Sequence, residues 1–452
     1  MDIIVIGCGK IGSTILAKLV EEGHNVVAVD NDPEVIAEIT NLYDVMGACG
    51  NGADCEILEE AGVNKAELVI AATGLDEFNM LSCFLAKKMG ARYTIARIRN
   101  PEYNDRSLGF MRQQLGLSMA INPELSAAHE LYNILKLPSA AKIETFSGRN
   151  FEMIEMRLKA DSALDGLSIA DMRSKYKARF LICAVQRGEE AYIPDGSFVL
   201  KSGDKIGLTA APAEITKFLK EIGVQQKQAR NIMILGGGKI AYYLTKKLCA
   251  AGVSVTIIER DRKVCEQLCE SLPKAVIIHG DGAQQELLLE EGLLSVDAFV
   301  ALTGMDEQNI LISSYAQSQN VPKVIAKINR DELIPLAEHW GLDCLISPKK
   351  HISDILVQYA RALENSVGSS METLYKLMDD KVEALEFKVK EDFPMLQVPF
   401  KDLKTKLNIL IAGIIRDRRS IIPAGEDMLE AGDRVIVLAA NQRINTLLDI
   451  LK

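Results

Sequence analysis

A chain of 452 residues is long enough for about three or four domains. With 48% hydrophobic and 25% charged residues and a net charge of −10, it has an ordinary globular composition that argues against nucleic acid as a main partner. No stretch reaches the ~20 apolar residues needed to cross a bilayer, and no secretory leader opens the chain. Nine scattered cysteines without a CxxC pair or metal-type Cys/His spacing are typical of a reducing compartment, so we expect a cytoplasmic protein without a metal site.

The first 122 residues alternate short β-branched runs with helical patterns. Apolar residues at helical spacing follow the first run and stop at Gly23, and a continuous apolar run covers Ala66–Ala72. This alternation predicts an α/β fold, a doubly wound parallel sheet of the Rossmann type. The predicted strands are Ile3–Ile6, Val26–Asp30, Asp44–Ala48, Leu68–Ala72, Tyr93–Ile98 and Leu117–Ile121. Asn122-Pro123 then starts a helix that we expect to end near Lys136.

A different pattern follows this helix. From Ile154 to Leu158 apolar and charged residues alternate, which indicates half-exposed strands, and turn residues occur at Pro194–Gly196 and Ser202–Asp204. We predict a small mixed α/β domain that ends in a helix over Pro212–Ile222. The polar linker Val224–Arg230 comes next.

The second half repeats the first. Three segments show the repeat. IIVIGCGKIG at Ile3 corresponds to IMILGGGKIA at Ile232, and ATGLDEFN at Ala72 corresponds to LTGMDEQN at Leu302. IPDGSFVLKSGD at Ile193 corresponds to IPAGEDMLEAGD at Ile422. These pairs lie 229 or 230 residues apart, so the chain contains a duplicated module and not a solenoid of short repeats. The predicted domains are 1–122, a connecting helix over 123–143, and 144–226, then 229–347, a connecting helix over 348–367, and 368–452. The second tail is also predicted to end in a helix, Asn441–Leu451.

Each half carries a glycine loop between a strand and a helix. Glycines allow a tight turn beside a pyrophosphate, the helix N-terminus supplies free N–H groups, and an acid about 20 residues further on binds the ribose hydroxyls. The first loop is followed by Asp30, the second by Glu259, each 18 residues after its loop. The loop residues are Gly7, Cys8, Gly9, Lys10, Ile11 and Gly12, and Gly236, Gly237, Gly238, Lys239, Ile240 and Ala241. The acid Asp30 favours NAD or an adenine mononucleotide over NADP.

Further candidates lie where later strands end, at the edge where such sheets bind ligands. Asn51 and Asp281 are placed to reach an adenine, and the arginines of ARIRN to reach a phosphate. Lys10 and Lys239 either pair with phosphate or are solvated lysines at a helix start. The further site candidates are Asn51, Thr73, Gly74, Arg97 and Arg99 in the first half and Gly280, Asp281, Thr303 and Lys327 in the second. Because Asn329 replaces the second arginine, the two sites should differ in ligand preference.

Catalytic groups are sparse. His24 and His129 are expected to be solvated, and residues 144–225 and 368–452 contain no histidine. We find no nucleophile–base pair and no P-loop in the sequence.

Both halves carry the same motifs in the same order, which in the first half are VIGCGKIG, Asp30, AATGLDEFN, ARIRNPEY and the IPDGSFVLKSGD segment. In this order of motifs the chain resembles the TrkA family of peripheral subunits of Trk-type bacterial and archaeal potassium uptake systems. In that family each half is an RCK (KTN) unit, a Rossmann domain plus a small C-terminal domain. The resemblance covers essentially the whole chain and implies a non-enzymatic, cytoplasmic homotetrameric ring. Such a ring docks on a membrane-embedded potassium-translocating subunit, binds NAD(H), ATP and ADP, and gates flux. By motif position it assigns the glycine loops, the ribose acids Asp30 and Glu259, and a phosphate-binding Arg97. The chain departs from the family pattern at Ala241, Lys327 and Asn51.

Two alternatives stay open. An NAD-linked oxidoreductase with the small domain as a lid would need an acid/base group at the nicotinamide. A nucleotide-binding subunit of another transporter could carry a small-molecule signal in its tail domains.

Overall fold

The computed structural model describes residues 1–103, 105–136, 142–146, 151–224, 228–364, 370–417 and 419–452. The chain divides into two compact units, one formed by Met1–His129 with Ser347–Ala360 and the other by Glu130–Ile346 with Arg361–Lys452. Parts of the predicted linker (225–227) and of the predicted connecting segments (137–141 and 365–367) lie outside the described residues.

The first unit contains a six-stranded parallel sheet in the order β3-β2-β1-β4-β5-β6. The strand order reverses beside β1, which confirms the predicted doubly wound fold. The strands are β1 (Asp2–Ile6), β2 (Asn25–Asp30), β3 (Met46–Cys49), β4 (Leu68–Ala71), β5 (Tyr93–Arg97) and β6 (Met119–Ile121). The helices are α1 (Lys10–Glu21), α2 (Pro33–Leu42), α3 (Cys55–Glu60), α4 (Asp76–Lys88), α5 (Asp105–Leu115) and α6 (Pro123–Lys136), the last of which continues into the second unit.

Helices cover both faces of this sheet, and its central strand β4 is apolar throughout. All four residues of β4 are buried, as are Ile15, Leu16 and Leu19 on the inner face of α1. Each fully buried side chain of this size stabilises the fold by about 1.5–3 kcal/mol. The continuous apolar run in the sequence is therefore the signature of a strand covered on both faces.

The first tail domain is a five-stranded antiparallel sheet in the order β10-β9-β11-β8-β7, with two helices. Its elements are β7 (Lys142–Phe146), β8 (Phe151–Arg157), α7 (Ile169–Lys175), β9 (Leu181–Arg187), β10 (Glu190–Tyr192), β11 (Lys205–Ala210) and α8 (Pro212–Glu221). β7 thus begins two residues before the predicted domain start at 144. Phe218 of α8 packs on one face of the sheet, in contact with the rings of Tyr176 and Phe180.

The second parallel sheet repeats the first, in the order β14-β13-β12-β15-β16-β17. Its strands are β12 (Asn231–Leu235), β13 (Ser254–Glu259), β14 (Val276–His279), β15 (Ala298–Ala301), β16 (Lys323–Lys327) and β17 (Leu345–Ile346). The helices are α9 (Lys239–Ala250), α10 (Arg262–Ser271), α11 (Gln285–Glu290), α12 (Asp306–Ser318), α13 (Ile334–His339) and α14 (Pro348–Glu364). Short 3-10 turns lie at Leu293–Ser295 and Asp331–Leu333.

The helices that follow the two parallel sheets each cross a unit boundary. Residues 347–360, which include most of α14, belong to the first unit, where the Tyr359 hydroxyl hydrogen-bonds Ser118 and burial raises the pKa of Tyr359. The end of α6 belongs to the second unit, where Lys247 of α9 lies 4.6 Å from the centre of the Tyr132 ring.

The second tail domain is again a five-stranded antiparallel sheet, in the order β18-β19-β22-β20-β21. Its strands are β18 (Ser370–Leu377), β19 (Val382–Lys388), β20 (Ile409–Arg416), β21 (Arg419–Ile421) and β22 (Arg434–Ala440). The predicted terminal helix over Asn441–Leu451 is wrong. Asn441 has a φ of +55°, which interrupts a helix, and a 3-10 turn capped by Thr446 spans only Leu447–Ile450.

Both tail sheets belong to the second unit and share one hydrophobic core. The Phe146 ring meets Tyr375 edge-on at 4.9 Å, and the Tyr375 hydroxyl donates to Thr145 O at 2.8 Å. A Cβ on Gly413 would lie 2.3 Å from the Phe151 ring, so glycine is required for this close approach. The tails therefore form a single packed body within the unit.

Candidate nucleotide-binding sites

The loop after β1 makes a tight turn that requires glycine at two positions. Gly7 has a φ of +85° and donates its N–H to Val29 O at 2.8 Å. A Cβ on Gly12 would lie 1.8 Å from Gly7 O. α1 begins at Lys10, and the preceding Gly9 provides no side-chain cap, so N–H groups of the first helical turn are open to an anion.

The loop after β12 has the same form. Gly236 has a φ of +97° and donates to Ile258 O at 2.8 Å, and α9 begins at Lys239 without a side-chain cap. Ala241, which replaces the third glycine, is fully buried. A Cβ on Gly237 would lie 2.7 Å from Leu268 Cδ1, whereas the first half carries a cysteine at this position.

That cysteine, Cys8, is a packing residue. Its Sγ lies 3.8 Å from Val5 O, and burial, together with the nearby Asp30 carboxylate, raises the pKa of the thiol to about 12. The thiol is therefore protonated at neutral pH and is a poor nucleophile.

A carboxylate at the end of the second strand holds each glycine loop. Asp30 Oδ2 accepts the Cys8 N–H at 2.6 Å, and Glu259 Oε2 accepts the Gly237 N–H at 2.6 Å. The other oxygen of each acid accepts the N–H two residues ahead, at 3.1 Å for Asp30 and 2.8 Å for Glu259. A carboxylate has about four lone-pair positions, so each acid can still accept from ribose hydroxyls.

The third strand of each sheet ends in a turn with one exposed polar side chain. Asn51 Oδ1 accepts the Ala53 N–H at 2.9 Å, and Asp281 Oδ1 accepts the Ala283 N–H at 3.0 Å. One atom of each side chain is thus used by the turn, although both residues are exposed.

Two residues that the sequence analysis did not assign fix the end of the fourth strand. Asn79 is fully buried and accepts both the N–H and the hydroxyl of Thr73, at 2.9 and 2.6 Å. Asp76 Oδ2 accepts the N–H groups of Arg99 and Asn100, both at 2.7 Å. The Thr73 hydroxyl is therefore hydrogen-bonded within the protein, and the exposed part of this strand end is the backbone at Gly74.

The second half repeats this arrangement. Asn309 accepts from the N–H and hydroxyl of Thr303 at 3.0 and 2.7 Å, and Asp306 Oδ2 accepts the Asn329 N–H at 2.9 Å. The sequence signal for these residues is the T-G-x-D-E-x-N pattern, which keeps the aspartate and the asparagine in both halves. Buried polar side chains need hydrogen-bond partners, so their repetition in a helix indicates a structural role.

The two arginines of ARIRN already have acceptors. Arg97 is 8% exposed, and its Nη2 lies 3.1 Å from Glu124 Oε1. Burial lowers the pKa of Arg97, and the Glu124 carboxylate opposes this shift. Arg99 donates to Gly74 O, and its Nε lies 3.4 Å from Asp76 Oδ1. The cationic set of the first site is thus partly neutralised by its own carboxylates.

The second site surrounds a cavity of about 340 Å³. The predicted residues that line it are Gly236, Gly237, Gly238, Glu259, Gly280, Asp281, Thr303 and Lys327. Lys239 and Ile240 are not in the lining: Lys239 is exposed at the helix start, and Ile240 is 8% exposed. Arg260, Met305 and Gln308 also line the cavity and were not predicted. Lys327 Nζ lies 3.4 Å from Leu302 O.

The first-half residues occupy the equivalent loop, turn and strand ends. Lys10 is exposed and Ile11 is half-buried at the start of α1. The prediction that His24 is solvated is wrong, because it is only 6% exposed, whereas His129 is exposed as expected.

Within the described ranges no helix is long and apolar enough to cross a membrane. The TrkA-N domain family matches residues 3–123 and 232–348, and the TrkA-C domain family matches 153–223 and 384–452. The Trk system potassium uptake protein TrkA homolog of Archaeoglobus fulgidus is 31% identical over 452 residues, covering 100% of both chains. The chain belongs to the TrkA family.

Solved structures support the fold of these TrkA-N and TrkA-C domains. The GsuK channel bound to NAD matches 97% of this chain and 76% of that chain, with a TM-score of 0.64 and 17% identity. GsuK bound to ADP matches 79% of this chain and 68% of that chain, with a TM-score of 0.52 and 14% identity. At these identities the likeness establishes the fold alone.

Proposed function

We propose that this protein is a non-enzymatic regulatory subunit of a potassium uptake system, and that its two clefts bind NAD(H), ATP or ADP. The observation that carries the proposal is the duplicated cleft: an uncapped helix N-terminus beside a glycine loop, with a carboxylate bonded to that loop. Free N–H groups bind phosphate, and the acid binds a ribose. The family relatives named Trk system potassium uptake proteins supply the transport context.

The proposed ligand-binding residues are those of the two loops and strand ends. In the first half they are Gly7–Gly12, Asp30, Asn51, Thr73, Gly74, Arg97 and Arg99. In the second half they are Gly236–Ile240, Glu259, Gly280, Asp281, Thr303 and Lys327.

Regulation requires that a nucleotide bind two shapes of the protein with different affinity. A coupling of ~1–3 kcal/mol per site is typical, whereas a swing from 1:99 to 99:1 needs ~5.5 kcal/mol. Several identical sites in a homotetrameric ring can add up to such a swing. We propose that this ring docks at the cytoplasmic face of the membrane on a Trk-type potassium-translocating subunit.

The test is potassium flux in vesicles that contain the translocating subunit and this protein, with NAD, NADH, ATP or ADP added singly. Flux should change with nucleotide, and the paired substitutions Asp30→Asn and Glu259→Gln should shift that response to nucleotide concentrations about tenfold higher or more. Absence of calorimetric binding of all four nucleotides would contradict the proposal. Light scattering should give a tetramer at micromolar concentration, and a monomer with and without nucleotide would contradict the ring.

The oxidoreductase alternative makes a separate prediction. It requires turnover of NADH with a carbonyl substrate, whereas a regulatory subunit binds NADH without consuming it. Steady NADH absorbance with a panel of carbonyl compounds is the expected result, and sustained oxidation would favour the enzyme.

A further inference from the structure

The second unit carries a basic and aromatic surface where the end of α6 lies beside α9. We propose that this surface binds the anionic headgroups of a lipid bilayer directly. The inference extends the proposed docking at a membrane, but it does not depend on nucleotide binding or on the translocating subunit. The α6–α9 face consists of Tyr132, Lys136, Tyr242, Lys246, Lys247 and Lys274.

Two ammonium groups of this face share one aromatic ring. Lys136 Nζ of α6 lies 4.4 Å from the centre of the Tyr132 ring, and Lys247 Nζ of α9 lies 4.6 Å from the same centre. A ring attracts an ammonium group through its quadrupole, but it does not cancel the charge. Two like charges are therefore held close together, which gives this part of the surface a positive potential.

α9 extends the positive surface along its exposed side. Lys246 Nζ lies 5.8 Å from the centre of the Tyr242 ring, and α9 contains no acidic residue. Burial raises the pKa of the Cys249 thiol on α9, and the nearby Lys274 ammonium opposes this shift. Among the residues that the structure describes, the ammonium groups of Lys136, Lys246 and Lys274 have no ion-pair partner, and all three residues are exposed. Their charge is therefore available to an external anion.

The first half of the chain shows that packing does not require such a face. Where α9 carries Tyr242 and two lysines, α1 carries Ser13, Ala17 and Lys18, 229 residues earlier. Lys18 Nζ is paired with a carboxylate of its own helix at 2.9 Å. The buried positions of α1 and α9 correspond, so the two helices pack alike and differ on their exposed sides. A basic and aromatic character confined to the exposed side of one copy indicates a binding surface.

The chemistry of the face fits an anionic membrane surface. Tyrosine and lysine combine an apolar ring or stem with a polar end, which lets them lie in the headgroup region. The whole chain has a net charge of −10, so an anionic bilayer would repel it unless a locally basic face were turned toward the lipid. Each lysine near an anionic surface increases partitioning onto vesicles about fivefold. The copies of the face in a ring would add their contributions.

The experiment is co-sedimentation of the full-length protein with vesicles of phosphatidylcholine, with or without phosphatidylglycerol, in the absence of the translocating subunit. At low salt the protein should sediment with the anionic vesicles and remain in the supernatant with the neutral ones. Salt at about 1 M should release it, because the Debye length falls to ~3 Å. The same bound fraction with both kinds of vesicle at low salt would overturn the inference.

Substitutions locate the binding on the face. Lys136→Gln and Lys246→Gln should each lower the partition coefficient about fivefold, and the double variant about twenty-five-fold. Both residues lie outside the proposed nucleotide sites, so unchanged nucleotide binding serves as the check on folding. Lys18→Gln on α1 is the matched control and should leave partitioning nearly unchanged. Equal losses in the control and the double variant would contradict the assignment.

A second arm separates lipid from protein as the partner. Neutral vesicles that contain the translocating subunit should retain the double variant as well as the wild type. If the wild type ignores anionic lipid but needs Lys136 and Lys246 to bind these vesicles, the face recognises an acidic protein segment. That result would overturn lipid binding and leave the proposed function intact.

Discussion

Asp30 links the first glycine loop to the predicted ribose site. Asp30→Asn replaces one accepting oxygen with a donor, which opposes either the Cys8 N–H or a ribose hydroxyl. Hydrogen bonds to a charged acceptor contribute ~1.5–3 kcal/mol, so nucleotide affinity at the first site should fall about tenfold or more. Calorimetry on the full chain should show one weakened class of sites, because Glu259 is unchanged. Glu38→Gln, an exposed carboxylate on α2, is the control and should leave both classes intact.

Arg97 and Glu124 make a second prediction at residue scale. Arg97 Nε and Glu124 Oε2 are buried and lack hydrogen-bond partners among the described residues, so their pairing is incomplete. A terminal phosphate near Arg97 would compete with Glu124 for the guanidinium. Glu124→Gln should therefore raise the affinity for ATP relative to ADP at the first site.

Arg97→Lys should lower this ATP-to-ADP ratio, because lysine cannot hold a phosphate bidentately. Lys327, the counterpart in the second site, provides the internal reference. Titrations of ATP and ADP that give the same ratio in wild type and both variants would show that Arg97 and Glu124 are only structural.

Which residues could be predicted from the sequence depends on how local their interactions are. Gly7, Gly12 and Asp30 lie on one strand–helix–strand unit at fixed spacing, so a short motif contains the whole geometry. The repeated T-G-x-D-E-x-N pattern marks Asn79, but its partners lie at the ends of β4 and β5, so its structural role depends on contacts that the motif alone does not contain. The burial of His24 is equally non-local.

At the scale of elements, an ion pair with a buried carboxylate holds the turn before the last strand of each tail sheet. Arg187 donates through Nε and Nη2 to both oxygens of Asp204, each at 2.8 Å, and Arg416 binds Asp433 with the same two distances. Asp204 and Asp433 are 1% and 2% exposed. The sequence predicted the Ser202–Asp204 turn, but Arg187 lies on another strand, and only its 229-residue repeat at Arg416 could have revealed it.

Breaking this pair should be costly. Arg187→Ala leaves the buried Asp204 carboxylate without its counter-ion, for an expected loss of at least ~2 kcal/mol in the free energy of unfolding. The exposed pair Lys401–Glu426 is the control, and Lys401→Ala should cost less than ~1 kcal/mol. Urea denaturation monitored by circular dichroism compares each variant with the wild type. Equal midpoints for Arg187→Ala and Lys401→Ala would show that the Arg187–Asp204 pair does not stabilise the domain.

At the scale of the whole molecule, one lysine joins three domains of the second unit. Lys205 Nζ of the first tail lies 2.9 Å from Asp379 Oδ1 of the second tail and 3.8 Å from Glu338 Oε1 of the second parallel-sheet domain. It also lies 3.8 Å from Glu155 Oε2 on the neighbouring strand. Asp379 has a φ of +55°, between two residues that also have positive φ, Met378 and Asp380. Each non-glycine residue at positive φ costs about 1–3 kcal/mol of folding free energy. Contacts from the other tail, such as that of Lys205, are therefore needed to hold this turn.

The Lys205 side chain is 13% exposed, and Lys205→Met removes the cation that these carboxylates share. We expect a loss of about 2 kcal/mol in the free energy of unfolding of this unit, because the buried Glu155 carboxylate loses its cation, whereas Asp379 and Glu338 are partly solvated. Burial lowers the pKa of Lys205, but Glu155 and Asp379 outweigh it and raise the pKa above 10.5. The stabilisation by Lys205 is therefore fully present below pH 10.5, and it is lost only as the pH rises through the higher pKa that Lys205 has in the folded protein.

Trp340 is the single tryptophan of the chain and lies two residues after Glu338, so its fluorescence reports unfolding next to this junction. In urea at pH 7 the fluorescence midpoint of Lys205→Met should fall well below that of the wild type, whereas Lys401→Met, at an exposed pair, should leave it nearly unchanged. Adding Asp379→Asn to Lys205→Met should recover part of the loss, because one uncompensated carboxylate is removed. An unchanged midpoint in Lys205→Met would show that the three domains are held by their apolar contacts alone. A lowered midpoint that Asp379→Asn does not improve would place the effect in Glu155 and Glu338 instead.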